Sequence, residues 1–477
     1  MWFRRDLRLA DNPALAAAAG ASNGEVVCVY IGEDQPKGRA LGGASNWWLD
    51  KTLRALQAEI EARGGQLVLR RGRAQAVIDA LISETGASAV YWNRRYDEPG
   101  RTIDTDLKAH LRDQHIQAKS YNGTLLTEPW TQTTGSGGYY KVFSPYWRSV
   151  QASYQGAPAA ERPSHFAALK LASDDLDNWA LHPSRPDWAT GFNGPWEPGE
   201  AGAVKRLFDF LDGPVSGYQG ARNRPDVETG TSGLSPHLAF GEISPAQIWR
   251  ATQSQLTADS SNEKGVQTFL SEVAWRDFAY VLLFHNPALA TENFKPDFDL
   301  MPWRDDEARL KAWQLGQTGY PIIDAGMRQL WHTGWMHNRV RMLVASFLTK
   351  HLLIHWRYGE AWFWDTLVDA DPASNSASWQ WVAGSGADAT PYFRIFNPIT
   401  QGEKFDETGD YVRKWCPELA HLPRKYLYQP WEAGPLILKE AGVMLGETYP
   451  SPIVDHKRSR ERALAAYTTL KERRDAA

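Results

Sequence analysis

The pattern of apolar and polar positions changes once along the chain. Up to about residue 125, short apolar runs alternate with amphipathic stretches. Residues 26–31 (VVCVYI), 66–70 and 89–92 read as buried strands, and 115–119 as a weaker fourth. Only Met1-Trp2-Phe3 precedes a charged turn, so the first strand is clipped short. Helical periodicity fills 45–63, 74–85 and 101–113. This alternation predicts an α/β domain over 1–125, built on a doubly wound parallel sheet. No GxGxxG follows a strand, so a nicotinamide dinucleotide site lacks its fingerprint.

Residues 126–200 lose this rhythm. TQTTGSGG at 131–138 is a turn signal, and Pro, Gly, Ser and Asp recur as far as PWEPG at 195–199. A long interdomain connector is expected there. From 201 to 477 helical periodicity takes over, at 201–212, 243–255, 265–285, 305–315, 321–333, 335–353 and 359–368, which predicts an all-α domain. A basic helix beginning at His456 closes the chain.

Composition narrows the class. The 477 residues are 43% hydrophobic and 23% charged, as in ordinary globular proteins. A net charge of -4 argues against a polycation coating nucleic acid, but leaves room for a local basic stripe. Two cysteines, Cys28 and Cys416, build neither a disulfide framework nor a zinc cluster, and a reducing cytoplasm is expected. No secretory leader and no membrane-spanning run is seen. The 22 tryptophans are the unusual figure; most belong to a core, and a few can serve as electron carriers or stacking platforms.

Four stretches carry candidate chemistry. TSGLSP at 231–236 puts hydroxyl residues and a glycine before a proline, a helix start that suits an anion or serves as an ordinary cap. Glu272, Trp275 and Arg276 share a helix face, as a site or as a surface ion pair beside a core indole. Asn338, Arg341, Met342 and Ala345 also share a face; polar groups on such a stripe need buried partners or a ligand, and Asp369 is a natural partner for Arg341. Arg339 falls on another face and can reach phosphate. Finally, 369–398 gathers Asp369, Asp371, Asn375, Trp379, Trp381 and Arg394. If 375–381 is helical, Asn375 and Trp379 share a face, while Trp381 points about 200° away from Trp379.

These residues carry a resemblance over essentially the whole length. WFRRDLRLADNPAL, YKVFSPYWR, GTSGLSPHLAFGEISP, GYPIIDAGMRQLWHTGWMHNRVRMLVASFLTKHLLI, DADPASNSASWQW and YFRIFNPITQGEKFD resemble class I photolyases of the photolyase/cryptochrome family. The resemblance implies an α/β domain, a long connector and a helical domain holding FAD, active in its reduced form. It implies that Tyr218, Thr231, Ser232, Leu234 and Ser235 hold the phosphate and sugar side, and that Asn338, Arg341, Asp369, Asp371 and Asn375 surround the flavin ring. Asn375 matches the position facing flavin N5. Glu272, Trp275, Met342 and Trp381 match the lining of the lesion pocket, Arg222, Arg339 and Arg394 match backbone or lesion contacts, and Arg276 is added to that DNA-binding set. Trp379, Trp356 and Trp303 match a relay carrying electrons from the surface to the flavin. Glu272 and Asn375 join the relay as the catalytic set, and burial is expected to raise the Glu272 pKa.

The activity so implied is light-driven repair of cyclobutane pyrimidine dimers in DNA. No metal and no obligate protein partner is expected, and the chain is expected to act as a cytoplasmic monomer at the nucleoid. Folate-binding relatives carry an Asn–Glu pair after the strand at 89–92, where this chain reads DEPGR at 97–101. A deazaflavin, another flavin or no antenna at all stays open. The alternative is a signalling cryptochrome without repair activity. A (6-4) photolyase would want a histidine pair where His337 is followed by Asn338, and a flavoprotein oxidoreductase would leave the paired tryptophans and rim arginines without a role.

Overall fold

The computed structural model describes residues 1–33, 38–182, 185–389 and 393–476, so 390–392 of the stretch 369–398 lie outside the described residues. Five parallel strands form one sheet: β1 (Trp2–Phe3), β2 (Cys28–Gly32), β3 (Leu67–Arg71), β4 (Ala89–Asn93) and β5 (Gln117–Tyr121), in the order β3-β2-β1-β4-β5. The short β1 is central: Trp2 lies opposite Val29 on one side and Trp92 on the other. Trp2, Val29, Ile31, Val68, Val90 and Trp92 form a core with Ile78, Leu81, Leu107 and Leu111 of the flanking helices. Strand order reverses between β1 and β4, so a crevice is expected beyond the ends of those two strands.

Local chemistry explains where the elements depart from the periodicity. The helix Pro13–Ser22 was not expected, because PALAAAAGAS has almost no polar face. Caps define it instead: Asn12 accepts the Leu15 N–H at 3.1 Å, Pro13 opens the helix, and Asn23 closes it at φ 52°. The helix expected at 101–113 begins earlier, as Glu98–Asp113, because Asp97 caps it and Pro99 fits its first turn. The expected connector contains a regular helix, Phe143–Ser153.

Beyond β5 the named elements among the described residues are helical. Those that matter for the site are Glu263–His285, Pro321–Thr333, Asn338–Ser346, Trp356–Thr366 and Pro372–Ala383. The single helix expected at 335–353 starts at its His337 cap and widens into a π turn, Phe347–His351. By packing, the residues group into two compact units. The first comprises Met1–Ser216, Ser232–Pro287 and Val368–Ala373; the second comprises Gly217–Thr231, Ala288–Leu367 and Ser374–Ala477. In this grouping residues 126–200 and the helix Glu263–His285 go with the sheet. Among the described residues no helix is long and apolar enough to cross a membrane, and no cluster of metal-ligating side chains occurs.

Candidate functional site

The candidate residues divide between the units. Ser232, Leu234, Ser235, Glu272, Trp275, Arg276, Asp369 and Asp371 belong to the first; Tyr218, Arg222, Thr231, Trp303, Asn338, Arg339, Arg341, Met342, Trp356, Asn375, Trp379, Trp381 and Arg394 belong to the second.

In the first unit, the loop after Thr231 leads into the short helix Ser235–Phe240, with Pro236 in its first turn. Gly233 sits at φ +62°, and a β-carbon there would lie 2.5 Å from the Arg206 guanidinium. The left-handed backbone angle favours glycine, and any side chain there would have to push the Arg206 guanidinium aside. The result is a loop with a cation over its backbone, suited to a phosphate; Arg206 had no signal in the sequence. Asp369 and Asp371 are buried, and Asp371 accepts the Tyr280 hydroxyl at 2.6 Å and the Ala373 N–H at 3.1 Å. Burial and the Asp371 charge push the Tyr280 phenol up, so it stays a neutral donor.

The helix Glu263–His285 presents Glu272 and Trp275 half-buried. Trp275 stacks on Phe143, with ring centroids 3.8 Å apart and planes 12° apart. Phe143 opens the helix that interrupts the connector, so that segment builds an aromatic wall. Arg276 is engaged internally: it donates to the Thr124 carbonyl at 2.6 Å and the Leu238 carbonyl at 3.3 Å. Its neighbour Asp277 is buried and accepts the Leu126 N–H at 2.6 Å, pinning the start of the connector.

A cavity opens at the ends of β1 and β4, lined by Arg5, Arg94, Arg95 and Arg276 together with the carboxylates Asp6 and Asp97. It lies where the strand order reverses. The Asp97 carboxylate beside it is occupied, with Arg95 at 3.0 and 2.6 Å and the Gly100 N–H at 3.2 Å. Although burial opposes it, Arg95 holds that carboxyl below the usual range.

In the second unit, residues 375–381 lie within the helix Pro372–Ala383, as the tryptophan argument required. Trp379 is buried against Phe363 and Trp313, at centroid distances of 5.0 and 6.2 Å, whereas Trp381 is half-buried. Asn375 is buried, and its Nδ2 donates to Glu360 Oε1 at 2.7 Å and to the Glu360 carbonyl at 3.0 Å. Glu360 was missed in the sequence, because nothing marks a lone Glu in YGEAW as buried. Trp356 is fully buried and donates to Asn293 at 2.8 Å, and Trp303 is half-buried.

The helix Asn338–Ser346 begins at His337, whose Nδ1 accepts the Arg339 N–H at 3.2 Å. The other ring nitrogen of His337 is buried with no partner in the protein, as for a group awaiting a ligand. Burial, then Arg341 and Arg339, push this imidazole down to about 3, so it is neutral. Arg341 donates to the Met336 carbonyl at 2.7 Å and is half-buried, while Asn338 is exposed. Arg339 packs over Phe405, with Nη1 3.8 Å from the half-buried Met342 sulfur. Burial, with Arg222 and Arg394 close by, pushes Arg339 down. Three guanidinium groups of the predicted DNA set therefore feel one another. Tyr218 is buried at the start of its short helix.

The family profile for the FAD binding domain of DNA photolyase matches residues 269–469, and that for DNA photolyase matches residues 1–164. The chain is 55% identical to the deoxyribodipyrimidine photo-lyase of Agrobacterium fabrum, covering 99% of this chain and 98% of that one. It is 36% identical to Cryptochrome-1 of Arabidopsis thaliana, over 95% of this chain and 68% of that one. The crystal structure of a class III photolyase from Agrobacterium tumefaciens superposes with a TM-score of 0.95 at 55% identity, covering 99% of this chain and 97% of that one. The class I subtype expected from the sequence is not confirmed, since this neighbour is of class III.

Proposed function

As the chain belongs to the photolyase/cryptochrome family, we propose that it is a deoxyribodipyrimidine photo-lyase that binds FAD and repairs cyclobutane pyrimidine dimers in DNA under light. The identity shared with the Agrobacterium enzymes supports placing it nearer class III than class I. The observation that carries the reading is the helix Pro372–Ala383, which holds Asn375 on Glu360, buries Trp379 and leaves Trp381 half-exposed.

The residues present fit FAD. The 231–235 loop with Arg206 suits its phosphates, and Asn338, Arg341, Asp369, Asp371 and Asn375 would surround its ring. With Nδ2 committed to Glu360, Asn375 offers its oxygen as an acceptor. Reduced FAD, once excited, supplies the electron that splits the cyclobutane ring. Photolyases take their target base out of the DNA stack. Trp275, Met342 and Trp381 would then give the flipped dimer apolar surfaces, and Glu272 would hydrogen-bond its carbonyl or N–H. Glu272 is half-buried, so its carboxyl is within reach of such a ligand. Arg222, Arg339 and Arg394 would hold phosphates, making affinity salt-dependent. Trp303, Trp356 and Trp379 would pass electrons inward from the surface.

The cavity at the strand-order reversal sets Arg5, Arg94, Arg95 and Arg276 against Asp6 and Asp97, an excess of cations that would draw an anionic group of an antenna chromophore, if one is carried. The engagement of Asp97 by Arg95 and Gly100 supports a ligand other than one held as in folate-binding relatives. The cryptochrome alternative draws on the likeness to Cryptochrome-1. Light-dependent repair of an oligonucleotide with one defined cyclobutane dimer decides between them, with a (6-4) lesion and a dark sample as controls. Repair of the cyclobutane dimer alone, in light alone, is expected; no repair by fully reduced protein would leave the signalling reading.

A further inference from the structure

Two members of the proposed relay touch the same histidine. The His355 ring centroid lies 5.0 Å from that of Trp303, with planes at 58°, and 5.6 Å from that of Trp356, with planes at 35°. Trp303 is half-buried and Trp356 is fully buried, so His355 is in ring contact with both the outer and the middle indole.

Several features hold the imidazole there. His355 caps the helix Trp356–Thr366, its Nδ1 accepting the Arg357 N–H at 3.2 Å. Leu353 has φ 54°, a left-handed angle that a branched side chain rarely adopts. Its carbonyl accepts the Arg304 N–H at 2.8 Å, tying the segment that bears Trp303 to the one that bears His355. Trp356 is also fixed by its indole N–H, which donates to Asn293. The Trp303 indole nitrogen is buried without a partner, so ring contact positions that indole.

The cap also fixes the tautomer, because accepting at Nδ1 leaves the proton on Nε2. Burial, and then Arg357, outweigh Asp299 and push His355 down to about 4. The ring is uncharged at neutral pH and adds no repulsion to a positive hole on either indole.

We propose that His355 is the bridging ring through which an electron passes from Trp303 to Trp356. This rests on the relay reading above. The step moves one electron and no proton. Trp356, present as its radical cation, is reduced to the neutral indole, Trp303 is oxidised to the radical cation, and His355 ends unchanged. A thiolate in solvent then gives one electron to Trp303 and becomes a thiyl radical. Transfer between rings weakens steeply with the gap, and His355, in ring contact with both indoles, supplies a path through packed rings.

The test uses the oxidised, FAD-loaded enzyme under blue light with a thiol reductant. His355→Asn keeps a good helix cap but removes the ring; His355→Phe keeps a ring but removes the acceptor. Photoreduction is expected to slow several-fold in His355→Asn at an unchanged melting temperature, and to stay near wild type in His355→Phe. In the dark, the carbon-bound ring proton resonance of His355 should shift with Trp303→Phe and, separately, with Trp356→Phe. Wild-type photoreduction in His355→Asn, equal slowing in both His355 variants, or an unmoved resonance overturns the bridge. Trp303→Phe separates the failures: if it photoreduces normally, the relay reading falls and the bridge with it. If it is slow while His355→Asn is fast, the bridge alone falls.

Discussion

The Asn375 carboxamide is held by Glu360 through both of its N–H groups, one to the carboxylate at 2.7 Å and one to the main-chain carbonyl at 3.0 Å. Both residues are buried, so this contact decides which end of the amide faces the site. Glu360→Ala would leave a buried donor unsatisfied, at a cost of about 1–3 kcal/mol. Glu360→Gln keeps an acceptor and should cost less. Urea denaturation is expected to rank wild type above Glu360→Gln above Glu360→Ala, and repair yield should follow the same order. Equal stability of the alanine variant would mean that the amide finds another partner.

Trp379 lies directly on the backbone of Gly359. A β-carbon at Gly359 would fall 2.1 Å from the far edge of the indole and 2.7 Å from Leu348. The helix Trp356–Thr366 thus carries one relay indole at its start and admits another one turn later. Gly359→Ala should destabilise the fold by about 1–3 kcal/mol through overpacking. In a Trp379→Phe background the shorter ring should relieve most of that loss, so the double-mutant cycle is strongly non-additive. Simple additivity would show that the alanine acts elsewhere.

The sheet and most of the helices were legible in the sequence, because strand runs and helical stripes are local signals. The helix Pro13–Ser22 was not, since its alanines give no contrast between faces. The helix around Phe143 was hidden within a stretch whose glycines and prolines read as connector. At the site, spacing separated Trp379 from Trp381, and the structure gives them different environments. Glu360, Arg206, Tyr280 and His355 were invisible for a common reason. Each acts through a residue distant in sequence or through a backbone turn, and no periodicity encodes such a contact.

The cluster of Arg222, Arg339 and Arg394 predicts a defined salt response. Burial and the two neighbouring cations already push Arg339 down, so a phosphate would relieve repulsion as well as form ion pairs. Arg394 is exposed, and its removal should spare the fold. Arg394→Gln is expected to weaken binding of dimer-containing and undamaged DNA alike. The slope of log affinity against log salt should fall by about one unit. A weaker affinity with an unchanged slope would place Arg394 on the lesion and not on a phosphate.

Asp277 makes stability depend on pH. Burial pushes its carboxyl up to about 7, against the opposing pull of Arg276 and of the Leu126 and Thr127 N–H groups. In the unfolded chain the same group titrates near ~3.9. Between these values the folded state holds a proton that the unfolded state has lost. Stability from this group is therefore complete below about pH 4 and declines as pH rises towards about 7, with a limiting slope of roughly 1.4 kcal/mol per pH unit. Asp277→Asn keeps an acceptor for the two N–H groups and does not titrate. Its melting temperature should exceed that of wild type by a margin that grows between about pH 5 and about pH 7 and then levels off. Parallel melting curves for the two proteins across that window would show that Asp277 is ionised in the folded state throughout.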